Sequence, residues 1–150
     1  MSSKFTRKKN KGGLKALVKR VKTPGTVDVG IIDAGKYLDG DITVAGIGFA
    51  HEFGTATLPE RSFMRSTTKE NKAKIISLQK KLLKQISNGT IEIDKALGLV
   101  GELVSDLIRR KIVNIKSPPN TPETISAKGS SNPLIDTSQM KNSITYEVND

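Results

Sequence analysis

Apolar positions along the chain keep helical spacing in some stretches and alternate in others. After the Gly12-Gly13 pair, Leu14, Leu17, Val18 and Val21 recur at helical spacing, and Lys15, Lys19, Arg20 and Lys22 fill the positions between them. This predicts a short basic amphipathic helix stopped by Pro24-Gly25. From Thr26 to Asp33 the period drops to two, with Val27, Val29 and Ile31 on one side and Asp28, Gly30 and Ile32 on the other, as in an antiparallel strand. Asp33-Ala34-Gly35 and Asp39-Gly40-Asp41 bracket a turn-rich loop. Over Ile42 to Gly54, residues Val44, Ile47, Gly48 and His51 share one helical face, which predicts a short helix despite the glycines.

From about Ser62 the helical pattern strengthens. Thr67 with Glu70 forms a capping-box pattern, Ile75, Ile76, Leu78, Leu82, Leu83 and Ile86 form the apolar stripe, and Asn88-Gly89 supplies a stop. A second long helix is expected from about Ile91 to Ile115, with Ile93, Leu97, Val100, Val104, Leu107 and Ile112 on one face. Gly98 and Gly101 within it are each less favourable than Ala by about 1 kcal/mol, so they point to a close approach by a neighbouring element. The two helices form a hairpin, and Ser117-Pro118-Pro119 ends the second. Thr121-Pro122 opens a brief helix at Glu123 to Ala127, closed by Lys128-Gly129. Asp136 or Thr137 is expected to cap one more turn, and Ile144, Tyr146 and Val148 alternate as a last strand. The expected class is α+β, a small antiparallel sheet packed by two long helices, with a basic arm and short helix over residues 1–25 and a single domain over 26–150.

Charge changes this picture only at the N-terminus. The 150 residues carry a formal net charge of +10 from 25 basic and 15 acidic side chains. Nine of the basic groups and none of the acids lie in residues 1–22, so the rest of the chain, with 16 basic groups against 15 acids, is close to neutral. Arg7, Lys8, Lys9, Lys11, Lys15, Lys19, Arg20 and Lys22 are therefore the candidates for contact with DNA phosphates or an acidic protein surface. Phe5 is the arm's only aromatic residue, so any DNA contact would be nonspecific. No apolar run approaches the ~18 residues of a membrane span, and no hydrophobic stretch follows the polar start, so the expectation is a chain made in a cytosol with no membrane partner.

Candidate chemistry is sparse. The absence of cysteine removes disulfides, thiolate metal sites and thiol nucleophiles. His51-Glu52 starts like a zinc-protease helix, but that site needs a second His at position 55, which is Thr. Phosphate-loop and nucleophile-elbow patterns are missing, and Gly46-Ile47-Gly48 lacks the third glycine of a dinucleotide fingerprint. Neither Glu52 nor Asp136 has a partnered nucleophile or a metal site in the pattern, so the expectation is a non-enzyme.

Three motif blocks add a resemblance. Val44-Ala45 leads to Glu52-Phe53-Gly54-Thr55; Leu58-Pro59-Glu60-Arg61-Ser62-Phe63-Met64-Arg65 follows. The third block runs from Pro118-Pro119-Asn120-Thr121-Pro122-Glu123-Thr124-Ile125 through Lys128-Gly129-Ser130-Ser131 and Pro133-Leu134-Ile135-Asp136-Thr137 to Asn142-Ser143-Ile144. In this order and spacing, over about residues 26 to 148, the chain resembles the small neck and tail-completion proteins of tailed bacteriophages, grouped with virion morphogenesis proteins. Glu52, Phe53, Gly54, Pro59, Arg61, Phe63, Lys128, Gly129, Leu134, Asp136 and Thr137 carry the likeness. Two departures stand out: Glu60 and Ser62 replace an Ala and a Pro of the family's Pro-Ala-Arg-Pro-Phe phrase, and Ser138 replaces a glycine, which implies that no positive φ is required at 138.

The resemblance implies a structural role without cofactor or catalysis. Copies would form a ring, of six or twelve subunits, at the head-to-tail junction of the virion, joining portal or head-closure proteins to the tail terminator or tube around the DNA channel after assembly in the host cytoplasm. Phe63 and Met64 are expected to anchor the core, and the polar loops around 36–43 and 117–133 to supply contacts between subunits and partners. The rival expectation is a small nonspecific DNA-binding protein that works through the basic arm.

Overall fold

A computed structural model describes residues 11–22, 25–37 and 40–149. Its elements run α1 (Lys11–Lys22), β1 (Thr26–Ile31), α2 (Val44–Phe53), α3 (Met64–Glu70), α4 (Lys72–Asn88), α5 (Ile93–Asn114), α6 (Pro122–Lys128), α7 (Gln139–Asn142) and β2 (Ile144–Asn149). The class is α+β: β1 and β2 pair antiparallel, from Thr26 opposite Asn149 to Ile31 opposite Ile144, and α5 packs across both strands.

Helix α5 is the spine, and its buried face belongs to two cores. Ala96 and Val100 meet Leu82 and Ile86 of α4, while Ile108 and Ile112 join Val44, Phe63, Leu134, Met140 and Ile144. Phe63 is fully buried, as expected of an anchor, and Met64 packs at the edge of the same cluster. The helix glycines have the partner that their low propensity implied. A Cβ on Gly101 would fall 2.5–2.8 Å from Cγ, Cδ2 and Cβ of Tyr146, so α5 and β2 approach as closely as they do only with glycine there.

Local signals placed most boundaries within a few residues. Thr43 caps α2 by accepting the Gly46 amide at 3.0 Å, Gly89 ends α4 in the left-handed region, and Thr121 and Gly129 bracket α6. Five expectations fail. Thr67 caps nothing: it lies inside α3, fully buried, its hydroxyl donating to the Phe63 carbonyl at 2.5 Å. The first long helix is interrupted at Asn71, where the Thr67 carbonyl accepts both the Asn71 side-chain amide at 2.9 Å and its backbone N–H at 3.0 Å. Ile76 and Leu83, assigned to the buried stripe, are exposed. Asp136 and Thr137 do not cap α7; Ser138 is its N-cap, with φ +64, so a positive φ is adopted at this position without glycine. Helix α1 lies against α4 of its own chain.

Candidate functional site

Three turns of α2 place its last residues over the start of α3. Gly54, at φ +74, then reverses the chain, and a Cβ there would fall 3.0 Å from Glu60 N. The reversal is closed by Thr55 N–H donating to Leu58 O at 2.8 Å and Arg61 N–H donating to His51 O at 2.7 Å. Its centre is the Glu52 carboxylate, only 4% exposed. Oε2 accepts the amides of Phe63 at 2.7 Å and Met64 at 2.8 Å; Oε1 accepts the Arg65 amide at 2.9 Å, Ser62 Oγ–H at 2.8 Å and Arg65 Nε–H at 3.0 Å. Burial pushes this carboxyl's pKa up, but the Met64 and Arg65 amides, the Ser62 hydroxyl and the Phe63 amide outweigh it, and the net shift is downward. A carboxylate held ionised by this many donors fastens α2 to α3; it is not a proton donor.

Beside this cluster, Arg65 also donates to Glu52 O at 2.7 Å and Glu60 Oε1 at 2.8 Å, and its guanidinium carbon sits 4.4 Å from the centre of the Phe53 ring. Phe53 and Phe49 stack at 4.7 Å between ring centres. Both rings face outward, 49% and 65% exposed, and form an apolar patch on the outer side of α2; Ile42, just before the helix, is 61% exposed.

On the inner side Arg61 is 4% exposed and makes its contacts across the fold. Nε donates to Pro118 O at 2.8 Å, and Nη2 to Pro119 O at 3.1 Å and Asn120 Oδ1 at 3.2 Å, tying the loop after α5 to the reversal. A cavity of about 370 Å³ opens next to it, with Tyr37, His51, Arg61, Asn120, Lys128 and Asp136 in its walls. His51 is pushed down to about 4 by burial first, then by the positive charges of Arg61 and Lys128, so it is neutral at pH 7. Burial also lowers the Lys128 pKa; Asp136 opposes that shift and Arg61 adds to it. Asp136 accepts the Tyr37 hydroxyl at 3.1 Å, which is its role in place of the expected cap.

The motif residues thus fall into one region. Glu52, Phe53, Gly54, Pro59, Arg61 and Phe63 build the reversal and what it packs on, while Lys128 and Asp136 come to the cavity from the other end of the chain. Leu134 lies in the core with Phe63, Gly129 ends α6, and the Thr137 hydroxyl lies 3.4 Å from the Gln139 amide. The described part of the basic arm, α1, packs against α4. Lys15 and Lys19 are exposed on α1; Arg7, Lys8 and Lys9 lie outside the described residues, as do the side chains of Lys11, Arg20 and Lys22. Phe49 and Tyr37 were not singled out from sequence, and Arg65 stood there only as the last residue of the second motif block. The i,i+4 spacing of Phe49 and Phe53 was the available signal for the outer patch.

Among the described residues no group of three or more His, Asp or Glu side chains could hold a metal ion, and no helix is long and apolar enough to cross a membrane. Comparison with protein-family models, curated proteins and solved structures finds no match to the chain.

Proposed function

We propose that the chain is a structural protein of the tailed-bacteriophage head-to-tail junction, a neck or tail-completion subunit that works by assembling into a ring in the virion. The observation that carries this reading is the outer patch of α2. Two of the chain's four phenylalanines stand exposed there, on a helix whose opposite face is fixed by Val44, Gly48 and the Glu52 hydrogen bonds. Exposed aromatic rings on a rigid helix suit an interface between copies, where rings bury large area at small entropy loss. The order of the three motif blocks supplies the virion context.

Native mass spectrometry and light scattering, on the protein alone and with portal, head-closure and tail proteins, test the proposal. A ring, or a stoichiometric complex with a junction protein, is expected, and Phe49→Ser/Phe53→Ser should abolish it while leaving the melting curve near that of the parent. A double variant that assembles as the parent does, or a chain that joins no junction protein and instead shifts DNA as a dimer, overturns the reading.

A further inference from the structure

Among the described residues four buried side-chain polar atoms lack a hydrogen-bond partner: His51 Nδ1, Arg61 Nη1, Asn120 Nδ2 and Ser105 Oγ. The first three belong to residues that line the cavity next to Arg61. Buried polar groups are nearly always satisfied, so unpaired atoms on three residues that line one space point to a missing partner. Two of the three, Arg61 Nη1 and Asn120 Nδ2, are donors.

The charge of the walls says which kind of partner. Arg61 and Lys128 bring two positive charges, His51 is neutral, and Asp136 brings one negative charge already engaged by the Tyr37 hydroxyl. Among the described residues neither Arg61 nor Lys128 forms an ion pair; Arg61 donates to carbonyl and amide oxygens, and Lys128 to the Pro133 carbonyl at 3.4 Å. A buried guanidinium with no carboxylate is an unbalanced charge, and one further negative charge would bring the walls to neutrality. A doubly charged phosphate would exceed that. Leu58, Pro59, Pro119 and Pro133 supply apolar wall, and about 370 Å³ falls at the small end of the range for ligand pockets, more room than a bare anion needs.

We infer that this cavity is a binding site for a carboxylate monoanion carried on a small, partly apolar body, with Arg61, Lys128 and Asn120 meeting the carboxylate. The inference stands apart from the virion role, since it needs neither a ring nor a phage partner. A free small carboxylate and the acidic side chain of a protein segment share this chemistry, so the test includes both. Butyrate represents the first and N-acetylglutamate N-methylamide the second, with the glutamine analogue and inorganic phosphate as controls.

Binding is followed by NMR on the full chain, through Arg61 Nε, Asn120 and His51. One carboxylate probe or both should shift these signals saturably: butyrate binding assigns a free ligand, and binding of the glutamate probe alone assigns an acidic side chain. The glutamine analogue should bind about tenfold more weakly or worse, as expected from losing one charge-assisted hydrogen bond. Lys128→Gln should weaken binding about tenfold on the same grounds while the protein stays folded. Asn120→Asp keeps an acceptor for Arg61 Nη2 and places a carboxylate beside the guanidinium, so it should abolish binding in a folded protein. Bound carboxylate should also raise the His51 pKa from about 4 toward its ordinary 6.5, because it offsets the charges of Arg61 and Lys128 that help to depress it. The inference is overturned if neither probe shifts these signals, if the glutamine analogue binds as well as the acid, if phosphate binds more tightly than either carboxylate, or if folded Asn120→Asp binds as the parent does.

Discussion

Replacing Glu52 with Gln keeps the shape of the side chain and removes one acceptor, so it isolates what the carboxylate does. In the parent, Oε2 receives two backbone amides, those of Phe63 and Met64, and Oε1 receives the Arg65 amide, Arg65 Nε–H and the Ser62 hydroxyl. An amide side chain has one oxygen. If its NH2 takes the Oε2 position, it faces the Phe63 and Met64 amides donor to donor; turned over, it faces Arg65 N–H and Nε–H, and only Ser62 can rotate to accept. Either way at least two donors lose their acceptor. At about 1–3 kcal/mol for each buried group left unpaired, the loss is about 2–6 kcal/mol, a large share of the 5–15 kcal/mol typical of a domain. Urea unfolding at pH 7, followed by circular dichroism, measures it directly. Ser62→Ala, which removes one donor and leaves the carboxylate with four, should lose only about 1 kcal/mol.

Acid separates the charge from the shape. The folded-state pKa of Glu52 lies below its ordinary 4.5, so the unfolded chain takes up the proton first as the pH falls. The stabilisation is therefore complete above the ordinary value and disappears as the pH drops through 4.5 to the lower folded value. Parent and Glu52→Gln should differ most at neutral pH and converge in acid. A Gln variant within about 0.5 kcal/mol of the parent at pH 7, or a difference unchanged on acidification, would refute the account, since even one orphaned buried donor exceeds that figure.

Other positions give independent tests. Gly101→Ala should destabilise the protein although alanine favours helix by about 1 kcal/mol, because the new methyl falls on Tyr146; a rise in melting temperature would mean that β2 can retreat. Ser138→Gly should stabilise by roughly 1 kcal/mol, since only glycine reaches φ +64 without crowding its own Cβ, and equal or lower stability in urea counts against strain at that turn. The neutral, half-buried His51 resists protonation down to about 4 while an unfolded His accepts a proton near 6.5, so stability should fall as the pH drops between those values; His51→Ala should flatten that slope, and an unchanged slope removes His51 as its source.

The sequence carries period well and contact with backbone poorly, and the two halves of the Glu52 cluster show why. Helices α4 and α5 were legible because Leu82, Ile86, Val100 and Ile112 repeat at the spacing that buries one face. Gly101 was legible as an anomaly in that pattern, though nothing local named Tyr146 as its partner. Glu52 matched a motif, but its role was not readable from composition or spacing. Its main acceptor contacts are to main-chain amides 11 to 13 residues away across an irregular turn, and an amide has no residue type to look for. Arg61 is the same case over a longer span, reaching carbonyls of Pro118 and Pro119, 57 and 58 residues on. Ser138 misled for a related reason: its side chain favours negative φ, yet burial of Leu134, Met140 and Ile144 fixes the chain on both sides of it and outweighs the local preference.

The misplaced start of α3 follows from the same source. A helix normally announces its first turn through a nearby Ser, Thr, Asp or Asn, and Thr67 with Glu70 fits that rule. Here the first amides are taken by a carboxylate from another helix, so the position before Met64 is free to be Phe63, a core residue with no side chain able to cap. Moving the cap to Glu52 lets one residue bury its ring in the core at the point where the chain enters the helix, and it leaves Thr67 to be buried one turn further on. The same hydrogen bonds that hid the helix start also lock α2 against α3, and so fix the direction in which Phe49 and Phe53 face solvent. The patch proposed to meet another copy is therefore coupled to the buried carboxylate: weakening Glu52 should loosen the presentation of both rings before the two cores of α5 come apart.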